Sequence, residues 1–202
     1  MTHFSAGSIM ALYERHAEAW GKLRSTDLFE QPWLDRFLSL VPATGKILDI
    51  GCGNGMPIAA YFTQRGSDVM GIDSSQSMID ACQKKLPHQQ WRVMDMRTLA
   101  LSEMFDGLIA WDSFFHLPRD DQRRMFTIFA AHAKSKAVLM FTSGTSDGEA
   151  IGMFQGEPLY HSSLAPTEYR QLLHENDFDV LKTVFEDPEC GGRTVWLAQK
   201  SA

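Results

Sequence analysis

Strand-like and helix-like segments alternate from Lys46 to Phe141 in this 202-residue chain. A glycine-rich loop follows the first of the strands, and two late strands are joined by a turn too short for a crossover. Together these predict an α/β fold: a Rossmann-like, mostly parallel seven-stranded sheet with helices on both faces and an antiparallel C-terminal hairpin.

The elements follow in order. Ile9, Tyr13, Ala17 and Trp20 recur near helical spacing, with Glu14, Arg15 and Glu18 on the other side, so the start reads as an amphipathic helix. Apolar strand runs are read at 47–50, 68–72, 91–94, 105–111 and 136–141. Helices are read at 57–64, at 75–86 (Met78, Ile79, Cys82 and Leu86 on one face, Pro87 as its stop) and at 120–134. A helix over 166–175 leads to strands at 178–185 and 193–199 around the turn EDPECGG. Residues 143–165 are Gly-rich and show no clear period, which predicts a long loop; loops of that length in compact domains are usually functional or disordered. The whole is expected as a single domain over 1–202, with a helical lid segment at 1–40 and a substrate-side loop at 143–165 within it.

Composition narrows the class. A hydrophobic fraction of 44% and a charged fraction of 22% are ordinary for a globular domain. No apolar run reaches the roughly 18 residues a membrane span needs, and the first twenty residues lack the pattern of a secretory signal. Three cysteines without metal-ligand spacing argue against a disulfide framework, so a cytoplasmic setting is expected. A net charge of −6 disfavours nucleic acid as a partner, because phosphate binding rests on clustered Lys and Arg. The partners expected are a small molecule, no nucleic acid and no membrane, with a monomer or homodimer as the assembly.

The stretch KILDIGCGNGM sets Gly51, Gly53 and Gly55 directly after the first strand. In an open parallel sheet, ligands sit beyond the carboxyl ends of the strands where the strand order reverses. A dinucleotide wants G-x-G-x-x-G, but Met56-Pro57 stands where its third glycine belongs; a phosphate P-loop also lacks its Lys-Ser/Thr pair. Asp73, in GIDSS, ends the second strand about 20 residues past the loop, where a carboxylate can accept both hydroxyls of a ribose. Asp95, in MDMRTL, ends the third strand and can accept from an exocyclic amine, with Met96 offering its backbone. The pattern describes a nucleoside ligand without a clear pyrophosphate site.

In order and spacing, ILDIGCGNG, GIDSS, MDMRTL and FDGLIAWDSFFHL resemble the class I S-adenosylmethionine-dependent methyltransferases, in the generic small-molecule branch, over about residues 9–200. The resemblance implies an enzyme using S-adenosyl-L-methionine and releasing S-adenosyl-L-homocysteine. It implies that Asp49, Gly51 and Gly53 surround the methionine part, that Asp73 with Ser74 takes the ribose, that Asp95 and Met96 frame the adenine, and that the segment at Trp111 serves the amino-acid end. A lid helix would add Tyr13, Trp20 and Arg24, the last pairing with the methionine carboxylate.

Methyl transfer from a sulfonium needs alignment and exclusion of water more than proton transfer. Ser113, His116 and His161 are candidates to face the acceptor, with His116 and His161 as the catalytic pair because imidazole titrates near working pH. No metal is expected, since Asp112 and Asp147 bring no further ligands with them. The segment after the fourth strand, WDSFF, lacks the Asn/Asp-Pro-Pro-aromatic motif of the branch that methylates nucleic-acid amines, which favours O- or N-methylation of a small molecule. Two rival readings stand beside this one: a non-catalytic S-adenosylmethionine-binding partner or sensor, and a nicotinamide-dependent oxidoreductase.

Overall fold

The computed structural model describes residues 2–24 and 27–202. Its strands are β1 (Lys46–Ile50), β2 (Asp68–Asp73), β3 (Gln90–Val93), β4 (Phe105–Ala110), β5 (Ala133–Ser143), β6 (Gly148–Phe154), β7 (Glu157–Ser163), β8 (Phe178–Asp187) and β9 (Arg193–Lys200). Seven of them form one sheet in the order β3-β2-β1-β4-β5-β9-β8. β1 pairs in parallel with β2 and β4, and β9 pairs antiparallel with β5 and β8. Strand order therefore reverses between β1 and β4, which opens a crevice at the carboxyl end of β1.

The helices are α1 (Ile9–Arg15), α2 (Ala17–Leu23), α3 (Gln31–Leu38), α4 (Ile58–Gln64), α5 (Gln76–Lys85), α6 (Arg119–His132) and α7 (Pro166–Glu175). Two apolar cores cover the two faces of the sheet. One stacks Phe114, Phe126, Phe129, Phe141, Tyr169 and Trp196, and the other gathers Trp33, Phe37, Phe62, Val69 and Ile109. Helix α3 falls within the segment 1–40 that the sequence reads as helical, but the sequence reading does not place it as a helix of its own. Its Trp33, Leu34 and Phe37 are buried, and Phe37 fills the space left at Gly107, where a Cβ would come within 2.6 Å of its ring.

Two expectations need correction. The N-terminal helix is broken at His16 (φ −112°, ψ 18°) into α1 and α2. The segment 143–165 is not a loop: β6 and β7 form an antiparallel hairpin, with Phe154 paired to Glu157. Gln155 and Gly156, at φ 51° and 81°, make its two-residue turn, and two positive φ values suit the right-handed twist of a hairpin. Gln-Gly is a weak turn signal and Pro158 argues against a strand, but Pro is tolerated in a two-stranded hairpin, where every strand is an edge.

Hairpin and N-terminus close over the carboxyl end of the sheet. Tyr160 of β7 packs with Ile9 and Leu12 of α1, and Arg15 and His16 both reach Glu157. On the other flank, Glu14 accepts hydrogen bonds from Ser75 Oγ (2.6 Å), Ser77 Oγ (2.7 Å) and Ser77 N (3.2 Å) at the start of α5. Those bonds, Ser75 first, hold its carboxyl below the usual glutamate range. Glu14→Ala should free this flank, so trypsin will cut after Arg15 and Lys22 several-fold faster than in the wild type. Unchanged cleavage would mean that Glu14 does not latch the segment.

Candidate functional site

The crevice beyond β1 is a cavity of about 870 Å³ including its open mouth. Gly51 and Gly53 form its floor, Asp73 and Ser74 one end, and Asp95, Met96 and Arg97 the next rim. Asp112, Ser113 and His116 line the wall after β4, and Tyr13 of α1 and Trp20 of α2 complete the lining.

The glycine loop is shaped by its neighbours. Gly51 N and Cys52 N both donate to Ile72 O, at 2.8 and 3.0 Å. Gly53 N donates to Asp73 Oδ2 (3.0 Å) and Ser75 N to Asp73 Oδ1 (2.9 Å), so Asp73 fixes both the loop and the start of α5. Each carboxylate oxygen keeps a lone pair for a further donor. Burial pushes the Asp73 carboxyl above its ordinary range, against the lowering effect of those hydrogen bonds. The Trp20 ring lies against Gly53, where a Cβ would stand 3.0 Å from it.

Asp95 is gripped by its neighbour. Arg97 donates from Nε to both oxygens (3.0 Å each) and from Nη2 to Oδ2 (2.6 Å). Burial alone would raise the Asp95 carboxyl, but these bonds bring it below the usual range. Asp112, at φ +49°, receives Arg193 Nε at 2.9 and 2.8 Å and pairs with Arg193 Nη2 at 2.7 Å. Asp147 pairs instead with Arg119.

His116 sits at the back of the cavity, 7% exposed. Its Nδ1 lies 2.8 Å from Tyr160 O and its Nε2 2.9 Å from Tyr13 Oη. A carbonyl only accepts, so Nδ1 carries the proton and Tyr13 O–H donates to the bare Nε2. Burial, with the neighbouring His161 second, pushes His116 down to about 3, which leaves it neutral. Burial likewise holds the Tyr13 hydroxyl well above its ordinary value, helped by Asp112 and Asp73.

Four of the residues read from sequence lie off the cavity lining. The His161 ring lies tilted beside His116, with centroids 4.8 Å apart, and beside Phe115 at 5.2 Å. Arg24 is taken by Glu30, whose carboxylate has no exposure, because a buried charge needs a partner. Trp111 is packed into the core between sheet and helices, 5% exposed. Asp49 is buried within β1 at 4% exposure, beneath the loop. Sequence reasoning passed over Ile9 and Met10, which line the cavity beside Tyr13; their helical phase with Tyr13 was the available signal. Arg97 was also passed over, although it stands two residues from Asp95.

Burial first, and the Asp73 charge second, raise Asp49 from 3.8 to about 7. Between those values the folded protein holds a proton that the unfolded chain has lost. This contribution to stability is complete below pH 3.8 and is lost as pH rises through 7. Asp49→Asn should therefore gain on the wild type by about 4 kcal/mol between pH 4 and 7, at roughly 1.4 kcal/mol per pK unit. Urea midpoints of both proteins across that range test it; a constant difference would place the Asp49 carboxyl in its ordinary range. His116 works in the opposite sense, since its neutral form is favoured on folding and stability is lost as pH falls from 6.5 to about 3.

Residues 47–136 match the family model described as a methyltransferase domain. A ubiquinone biosynthesis O-methyltransferase of Coxiella burnetii is 25% identical over 181 residues, 83% of this chain and 76% of that protein. A magnesium-protoporphyrin O-methyltransferase of Rhodobacter capsulatus is 29% identical over 106 residues; the match spans 50% of this chain and about half, 46%, of that relative. Among solved structures, S-adenosylmethionine-bound CalS10, an amino pentose methyltransferase from Micromonospora echinaspora, superposes with a TM-score of 0.74 at 17% identity, over 93% of this chain and 96% of its own. The last likeness is one of fold.

Proposed function

We propose that this chain is a class I S-adenosylmethionine-dependent methyltransferase and moves the methyl group of S-adenosyl-L-methionine to an oxygen or nitrogen atom of a small molecule. The observation that carries the reading is the convergence of Gly51, Gly53, Asp73, Asp95 and Met96 on one cavity at the strand-order reversal. The donor set suits an S-adenosyl nucleoside. Asp73 has lone pairs to spare for ribose hydroxyls, and Asp95 and Met96 can frame an adenine. The curated relatives named above, one in ubiquinone biosynthesis and one on magnesium-protoporphyrin, support a small-molecule acceptor.

When bound, the cofactor supplies a methyl group already activated on a sulfonium. What remains for the protein is to hold, orient and dry. Asp73 and Ser74 hold the ribose, and the glycine loop lets the methionine part approach. Trp20 and Tyr13, carried on the lid, exclude water from the reacting atoms. His116 orients Tyr13 from behind.

The test is calorimetric binding of S-adenosylmethionine and S-adenosylhomocysteine, followed by an acceptor panel read by S-adenosylhomocysteine release. Micromolar binding with turnover supports the proposal. Tight binding with no transfer across a broad panel would favour the sensor or partner reading, and no binding by the folded protein would remove the basis of both.

A further inference from the structure

Resting on the methyltransferase reading, we propose that the acceptor is an amine bearing at least one N–H, and that Tyr13 Oη is the atom that receives that N–H in the cavity. The argument follows a chain of hydrogen bonds inward from β7. Tyr160 O can only accept, so it fixes the proton of His116 on Nδ1 at 2.8 Å. Nε2 is then a bare acceptor and draws the phenol proton of Tyr13 at 2.9 Å. With that proton committed, Tyr13 Oη presents only lone pairs to the cavity it lines. It rewards a ligand that donates and gives nothing to one that only accepts.

The rest of the cavity rejects the other acceptor classes. Among the described residues, Arg97 is the one Lys or Arg on the lining, and its Nε and Nη2 are held by Asp95. A carboxylate or phosphate acceptor thus finds Arg97 and Arg193 already committed to Asp95 and Asp112, with the Asp73 carboxylate on the same lining. An alcohol can donate its O–H to Tyr13, but it must lose a proton as it is methylated. The base in reach is His116 Nε2, behind Tyr13, and burial makes that imidazole a poor one for taking the proton. A neutral, weakly basic amine such as an arylamine needs none. Its nitrogen lone pair forms the new C–N bond as the C–S bond breaks, with that electron pair passing to sulfur. A neutral R–NH2 becomes R–NH2–CH3 with one positive charge, the sulfonium becomes a neutral thioether, and the extra proton leaves to water afterwards.

His116 is on this account a positioning residue acting through Tyr13. The titratable groups around the pair are His161 on β7, Asp112 after β4 and Asp73 at the end of β2.

The experiment measures binding to the protein loaded with S-adenosylhomocysteine, by calorimetry, alongside turnover with S-adenosylmethionine. The probes, at pH 7.5 where arylamines are neutral, are aniline and 4-methylaniline against benzyl alcohol, cyclohexanol, benzoate and N,N-dimethylaniline, which has no N–H. The expected result is that the two primary amines bind roughly tenfold or more tighter than benzoate and the tertiary amine, the worth of one good hydrogen bond, and that they alone are methylated, the alcohols binding without turnover. Tyr13→Phe should erase that preference while its affinity for S-adenosylhomocysteine stays within about twofold. His116→Leu should shrink the preference by freeing the phenol to donate, which loss of packing alone would not do. Methylation of the alcohols, equal or better binding of benzoate, no binding of the amines, or a preference that survives in Tyr13→Phe overturns the inference. Failure of the wild type to bind S-adenosylhomocysteine would instead overturn the reading beneath it.

Discussion

Asp73→Ala is expected to weaken S-adenosylhomocysteine binding ten- to a hundredfold or somewhat more, about 1.5–3 kcal/mol, the worth of charge-assisted hydrogen bonds lost to a ribose. The structure adds a second consequence. Asp73 Oδ2 accepts from Gly53 N and Oδ1 from Ser75 N, so the alanine leaves two backbone donors without their partner. Each unsatisfied buried donor costs about 1–3 kcal/mol, and the thermal midpoint should fall along with affinity. Asp73→Asn separates the two effects, because its one carbonyl oxygen can keep one backbone bond. Stability should be partly restored in Asp73→Asn, while affinity stays well below wild type because the charge is gone. Calorimetry at a temperature where circular dichroism shows each variant fully folded is the check. Wild-type affinity in a folded Asp73→Ala would remove this carboxylate from the ribose site and shift the search to Asp95.

How much of this was legible in the sequence follows the range of the interactions involved. The parallel half of the sheet is written locally, in apolar runs such as ILDI and GLIA separated by helical periods, and β1, β2 and β4 lie where those runs place them. The site was legible for the same reason: a parallel sheet gathers the carboxyl ends of its strands, so Gly51, Asp73 and Asp95 meet although the chain separates them. What failed to show rests on partners chosen by the fold. Arg24 looked available for a ligand carboxylate, and nothing in the sequence says that buried Glu30 takes it. Asp112 gave no sign that Arg193, 81 residues away, holds it. His116 and His161 do come together, but His116 lines the cavity from the segment after β4, while the hairpin's register leaves His161 off it. That register depends on Gln155-Gly156, a pair whose conformation only the folded hairpin makes plain.

Gly51→Ala should be the most damaging single methyl in the molecule's site. The backbone there has φ +74°, and a Cβ would lie 2.4 Å from Ser113 Cβ and 2.8 Å from Ser113 Oγ. Left-handed backbone costs an L-residue about 1–2 kcal/mol, and overpacking typically adds about 1–3 kcal/mol. Relief by rotating Ser113 is closed off, since its Oγ donates to Ile50 O at 2.7 Å and holds the segment after β4 against the end of β1. A loss of about 2–5 kcal/mol in urea unfolding is therefore expected from those two sources together, with cofactor binding lost as the loop moves. Gly156→Ala is the control: its φ is +81°, but a Cβ there meets nothing within 4 Å, so it should cost only the backbone share. Adding Ser113→Gly to Gly51→Ala removes the clashing atoms and should recover the packing share but leave the backbone share, a coupling that a double-mutant cycle reads directly. If the double variant recovers nothing, the strain resides wholly in the left-handed turn, and the contact between the glycine loop and Ser113 does not hold the cavity floor in place.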